Sequence, residues 1–134
     1  MSKKIETILL VDDNDTDNFI NSRIIELTEF ADEIVIKNSG KKALEFLQER
    51  LDTNGTLPSL ILLDINMPIV DGFVFLYEFE NFPEELKQKS KIAILSSSDN
   101  ESDIERIVNN EYVIKFITKP LTEEALLAVG DILP

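Results

Sequence analysis

Leu60-Ile61-Leu62-Leu63-Asp64-Ile65-Asn66-Met67-Pro68 is a run of four aliphatic residues that passes directly into an acid and then a proline-bearing turn. An apolar run of strand length without polar alternation needs cover on both faces, as strands of a parallel sheet have. Ile8-Leu9-Leu10-Val11 and Ile92-Ala93-Ile94-Leu95 read the same way. With Glu33–Ile36 and Val113–Ile117 they make five strand segments, the first taken as Thr7–Val11. Helices must therefore lie on both sides of the sheet.

Segments with helical spacing lie between and after these strands. Phe19, Ile20, Ile24 and Leu27 form one apolar face, and Ala43, Leu44, Leu47 and Leu51 a second. Phe73, Leu76 and Tyr77 mark a third, Ile104, Ile107 and Val108 a fourth, and Ala125, Leu126 and Val129 a fifth. The order is βα repeated five times, each crossover long enough for a right-handed parallel connection. Helix starts are signalled by Ser98 with Glu101, a capping-box pattern, by Asp71 ahead of Gly72, and by Thr122-Glu123-Glu124. Asp52–Pro58 reads as a turn-rich loop and Asn81–Ser90 as an extended or frayed end of the third helix.

Composition narrows the chemistry. The 134 residues carry 13 Lys and Arg against 26 Asp and Glu, a net charge of −13, with no His and no Cys. That excludes a disulfide framework, a thiolate nucleophile, a zinc cluster and His-based acid–base catalysis. The acidic balance also disfavours nucleic acid, whose phosphates it would repel. The first apolar run is broken by Asp12, so neither a signal-peptide core nor a membrane span is expected, and a cytoplasmic location is.

In an open parallel sheet ligands bind beyond the carboxyl ends of the strands, near the point where strand order reverses. Strand 1 ends in Asp12-Asp13, strand 3 in Asp64, strand 4 in Ser96, and strand 5 in Lys119-Pro120, while strand 2 offers only Lys37-Asn38. Three carboxylates brought together repel one another unless a cation shares the site, and an oxygen-only donor set suits Mg²⁺. Lys119 adds a point charge suited to a phosphate oxygen or a carboxylate. Asp64 beside them has the makings of a carboxylate nucleophile toward a phosphoryl group.

With its preceding strand, Asp64-Ile65-Asn66-Met67-Pro68-Ile69-Val70-Asp71-Gly72 resembles the phosphoacceptor segment of response-regulator receiver domains of two-component signalling. Ile8-Leu9-Leu10-Val11-Asp12-Asp13 resembles the acidic pair of that family, Ile94-Leu95-Ser96-Ser97 its switch hydroxyl, and Phe116-Ile117-Thr118-Lys119-Pro120 its aromatic and lysine. The resemblance implies that Asp64 accepts phosphate from a phosphohistidine and that Asp12, Asp13 and Asp64 hold Mg²⁺ with the backbone carbonyl of Asn66. It further implies that Ser96 donates to the aspartyl phosphate, that Lys119 bridges Asp64 or its phosphoryl oxygens, and that Phe116 turns inward as Ser96 moves. A cis Lys119-Pro120 bond is implied as well, with Met67-Pro68 and Asp71-Gly72 shaping the loop. Three departures stand out: Ser96 replaces the commoner threonine, Asn109-Asn110-Glu111 stands where a glycine turn is usual, and Ser97-Ser98 is more polar than usual.

Other readings compete. Asp12 and Asp13 have the residue type of helix caps, the role assigned to Asp15 and Asp17 along with the helix dipole. Ser96 has a local reading as a backbone-satisfying serine, Lys119 as a surface lysine, and Phe116 needs no role beyond core packing. Asp13-Asn14-Asp15-Thr16 matches the signature of haloacid-dehalogenase-like phosphatases, but that reading leaves Asp64–Gly72 unexplained. A calcium loop over Asp13, Asp15 and Asp17 fails at Asn18 and Ile24, where glycine and glutamate are needed. A flavin site would have its phosphate repelled by Asp12-Asp13, and a purely structural interaction domain would not need the convergent set.

The expectation is thus an α/β fold, a flavodoxin-like doubly wound (βα)5 with a five-stranded parallel sheet in the order 2-1-3-4-5. Residues 1–134 are expected to form a single receiver domain with no output domain, a signalling phosphoacceptor rather than an enzyme. The expected partners are a sensor histidine kinase or histidine phosphotransfer protein, and a downstream protein. The latter is expected on the face formed by the helix after strand 4, strand 5 and the final helix.

Overall fold

The structure, a computed structural model, describes residues 5–65, 72–97 and 101–133. Along the chain run β1 (Ile5–Val11), α1 (Asp15–Leu27), β2 (Ala31–Lys37), α2 (Gly40–Asp52) and β3 (Leu60–Leu63). Then come α3 (Gly72–Glu80), α4 (Glu84–Lys89), β4 (Lys91–Ser96), α5 (Glu101–Val108), β5 (Val113–Thr118) and α6 (Glu123–Ile132). The strands form one parallel sheet in the order β2-β1-β3-β4-β5, as expected. The three uninterrupted apolar runs are its interior strands, and the more polar β2 and β5 are its edges.

Side chains alternate across the sheet with period two, and each face receives its own core. Leu9, Val11, Ile61, Leu63, Ile92 and Ile94 pack toward α2, α3, α4 and α5. Ile8, Leu10, Leu60, Leu62, Ala93 and Leu95 pack toward Ile25 of α1 and Leu126 and Val129 of α6. The first core is the aromatic one: Phe79 lies 6.4 Å from the Phe75 ring and edge-on to Tyr112 at 5.5 Å. Full burial of one such side chain stabilises the fold by roughly 1.5–3 kcal/mol.

Caps fix the helix starts. Asn14, Ser39 and Thr122 each accept a hydrogen bond from the backbone N–H three residues on, at α1, α2 and α6. Both α1 and α2 end in a left-handed residue, Glu29 (φ 53°) and Asn54 (φ 55°), with paired bonds back to the last turn.

Several local expectations need correction. Phe19, Ile20 and Leu27 of α1 are exposed, and the helix buries Asn18, Asn21 and Ile25 instead. Tyr77 is exposed as well, because α3 turns Phe75, Leu76 and Phe79 inward. Asn81–Ser90 does not extend the third helix: Pro83, which cannot supply an N–H to it, starts the separate helix α4. Where Asn109-Asn110-Glu111 replaces the usual glycine turn, a turn still forms: the Asn110 side chain accepts from the Tyr112 N–H at 2.9 Å and closes it. The expectations placed on Asn66, Met67-Pro68, Asp71 and Ser98 lie outside the described residues. Among the described residues no helix is long and apolar enough to cross a membrane.

Candidate functional site

Strand register brings the acids together. Val11 of β1 pairs with Leu63 of β3, so the next residues, Asp12 and Asp64, emerge side by side. This is where the sheet reverses direction of growth, since β2 and β3 lie on opposite sides of β1. Both acids are buried, 4% and 6% exposed, while Asp13 faces solvent. Carboxylate oxygens of Asp12, Asp13 and Asp64 all lie within 4.8 Å of one another, a donor set of hard oxygens that fits a divalent cation.

The lysine arrives from the opposite edge. Ser96, fully buried at the end of β4, pairs with Thr118 of β5, and its carbonyl accepts the Lys119 N–H at 2.9 Å. The Lys119-Pro120 peptide that follows is cis. The Lys119 Nζ donates to Asp12 Oδ2 at 2.8 Å and to Asp17 Oδ2 at 2.9 Å, and stands 3.6 Å from Asp64 Oδ2. The first two distances are those of charge-assisted hydrogen bonds; the third is a charge contact without one. Burial works against the ammonium, but the bonds to Asp12 and Asp17 and the charge of Asp64 outweigh it and raise its pKa above the usual lysine value.

Asp12 is held from both sides. Its Oδ1 accepts the Asn14 N–H at 2.9 Å, and its carbonyl accepts from Asn18 Nδ2 at 2.8 Å. Asn18 Oδ1 is buried with no hydrogen-bond partner among the described residues. A cavity of about 10 Å³, room for roughly one water molecule, borders Asp12, Asn18, Asn21 and Asp64.

Four of the expected site residues, Asp12, Asp13, Asp64 and Lys119, thus converge, with Ser96 at the neighbouring strand end. Phe116 is half-buried, aligned with Ile94 and packed against the aromatic core. Asn66 lies outside the described residues. Sequence reasoning misses Asp17 and Asn18 as neighbours of the site, since capping and the helix dipole already account for an acid at position 17. The signal was the spacing Asn14, Asn18, Asn21, Ile25, which is one helical face running back from the pocket.

The family profile described as the response regulator receiver domain matches residues 8–130. The chain belongs to this family. A two-component response regulator from Cytophaga hutchinsonii superposes with a TM-score of 0.90 at 34% identity, covering 98% of both chains. The response regulator Rcp1 of Synechocystis is 32% identical over 100 residues, 74% of this chain and 67% of Rcp1. A structure of the Mn²⁺-bound form of Rcp1 matches with a TM-score of 0.72 at 31% identity, over 93% of this chain and 88% of that one. Receiver domains are signalling modules rather than enzymes in the usual sense. They work through histidine kinases or phosphotransfer proteins on one side and downstream targets on the other.

Proposed function

We propose that this receiver domain takes a phosphoryl group from a phosphohistidine of a sensor kinase or histidine phosphotransfer protein onto Asp64, with Mg²⁺ as cofactor. The observation that carries this reading is the convergence of Asp12, Asp13, Asp64 and Lys119 at the reversal point of the sheet. A carboxylate oxygen of Asp64 attacks phosphorus, the phosphorus–nitrogen bond breaks, and its electron pair returns to the leaving imidazole. Asp12, Asp13 and Asp64, with the Asn66 carbonyl, would hold the ion. Bound there, Mg²⁺ neutralises charge that develops on the transferring phosphoryl oxygens. The Mn²⁺-bound form of Rcp1 supports a divalent cation as a cofactor of this family.

Lys119 supplies the second positive charge for the phosphoryl oxygens, and Ser96, whose strand end is the neighbouring one, donates its hydroxyl proton to them. Loss of the resting charge pattern then biases Ser96 and Phe116 and, with them, the face of α5, β5 and α6, where a downstream protein docks. The exposed apolar residues Phe19 and Ile20 lie on the helix whose first turn borders the pocket, a surface for the phosphoryl donor.

Incubation with acetyl phosphate and Mg²⁺ tests the reading by intact mass. One phosphoryl unit is gained by the wild type and none by Asp64→Asn. Modification at Asp13 instead would favour a haloacid-dehalogenase-like phosphatase and overturn this account.

A further inference from the structure

The Lys119 ammonium has three protons to give and three carboxylates within reach. Its two hydrogen bonds go to Asp12 and Asp17, and Asp64, the proposed phosphoacceptor, is left at 3.6 Å. Asp17 belongs to neither the proposed metal cluster nor the strand ends. It sits in the first turn of α1, where its N–H donates to the Asn14 cap at 2.9 Å, so its carboxylate is presented from a fixed piece of backbone.

We propose that Asp17 is a positioning residue that draws the Lys119 ammonium off Asp64 in the resting state. Resting on the function proposed above, this deepens it by naming what sets the lysine's place. An ammonium hydrogen-bonded to Asp64 would occupy a lone pair needed for attack and would repel a divalent cation from the same oxygen. Asp17 opposes this by holding one of the Lys119 protons in a 2.9 Å hydrogen bond. Without Asp17, the shift from 3.6 Å to hydrogen-bonding distance needs only a small rotation of a flexible side chain, and of the three carboxylates Asp64 is the one Lys119 has yet to bond. Arrival of a phosphoryl dianion on Asp64 reverses the balance, and Lys119 exchanges Asp17 for the phosphoryl oxygens.

The test is a double-mutant cycle read by calorimetric titration with Mg²⁺ alone. In the wild-type background, Asp17→Asn is expected to weaken Mg²⁺ binding about fivefold, a coupling of ordinary size for contacting groups. In the Lys119→Met background the same change is expected to cost less than about twofold, because Asp17 is partly exposed and its bare charge is screened. An equal loss in both backgrounds, or none in the first, overturns the proposal. A second measurement stands apart from metal binding: the ¹⁵N resonance of the Lys119 ammonium, with no metal added, is expected to shift in Asp17→Asn. An unchanged resonance overturns the positioning role. Failure of the wild type to bind Mg²⁺ at all would instead sink the proposed function, and the ammonium resonance would still report on Asp17.

Discussion

A methyl group placed on Gly72 would stand 2.5 Å from the Cα of Ile65. The Gly72 N–H donates to the Ile65 carbonyl at 3.1 Å, so the start of α3 is pressed onto the residue that follows Asp64. Contact this close to backbone has no flexible side-chain end to give way. Gly72→Ala is therefore expected to destabilise the domain by about 1–3 kcal/mol and to lower Mg²⁺ affinity as Asp64 is displaced. Urea denaturation and Mg²⁺ titration of the same variant check both parts.

Glu29 closes α1 at φ 53°, a conformation that costs an ordinary side chain and that glycine adopts freely. Its N–H bonds to the Glu26 carbonyl, and the Phe30 N–H bonds to that of Ile25, so the turn is fixed by the fold. Glu29→Gly is expected to stabilise by about 0.5–1 kcal/mol, a rise of roughly 2–4 °C in Tm by calorimetry. A fall in Tm would refute the strain argument.

Glu33 on β2 accepts from Arg50 of α2 at 3.2 Å and from Thr7 of β1 at 2.9 Å. These bonds, Arg50 first, hold its carboxyl below the usual glutamate range. A pKa depressed by folding means stability present above about pH 4.3, the unfolded value, and lost as pH falls through the folded one. Because Glu33 is half exposed, Glu33→Gln should cost under about 1 kcal/mol at pH 7. The Tm gap between variant and wild type should close on acidification below that value, which thermal scans from pH 7 to pH 3 would show.

Metal binding to the folded state alone must raise stability by mass action. At 100 times the dissociation constant Mg²⁺ is expected to add about 2.7 kcal/mol, removed again by a chelator. Asp13→Ala, an exposed position, should abolish most of this gain while leaving the metal-free protein no less stable, since one of three mutually repelling carboxylates is gone. Retention of the full Mg²⁺ effect in that variant would exclude Asp13 as a ligand.

Phe79 touches Phe75, Phe82 and Tyr112 and is fully buried. Phe79→Ala should cost about 3–5 kcal/mol, whereas Tyr77→Ala two positions away, exposed, should change stability by about 0.5 kcal/mol or less. Comparable losses at the two sites would contradict the packing described for α3.

The difference between those two residues shows where sequence reading stopped. Phe73-Val74-Phe75-Leu76-Tyr77 is apolar at every position, so periodicity cannot choose a buried face. In α1 the apolar residues Phe19, Ile20 and Leu27 lie outward, while Ile25 packs into the core and Asn18 bonds the Asp12 carbonyl. Asp17 was hidden for a related reason, since an acid in the first turn of a helix already has an ordinary electrostatic role.

By itself the sequence determined the five strands, the parallel sheet and the acids and lysine at strand ends. These follow from local patterns: apolar runs too short for helices, broken by polar residues that cannot continue them. Only the tertiary structure decided which faces of α1 and α3 turn inward and which carboxylates take the protons of Lys119. The first depends on packing between elements distant in the chain, the second on side chains more than a hundred residues apart in sequence, Lys119 and Asp12 among them, which no local pattern encodes.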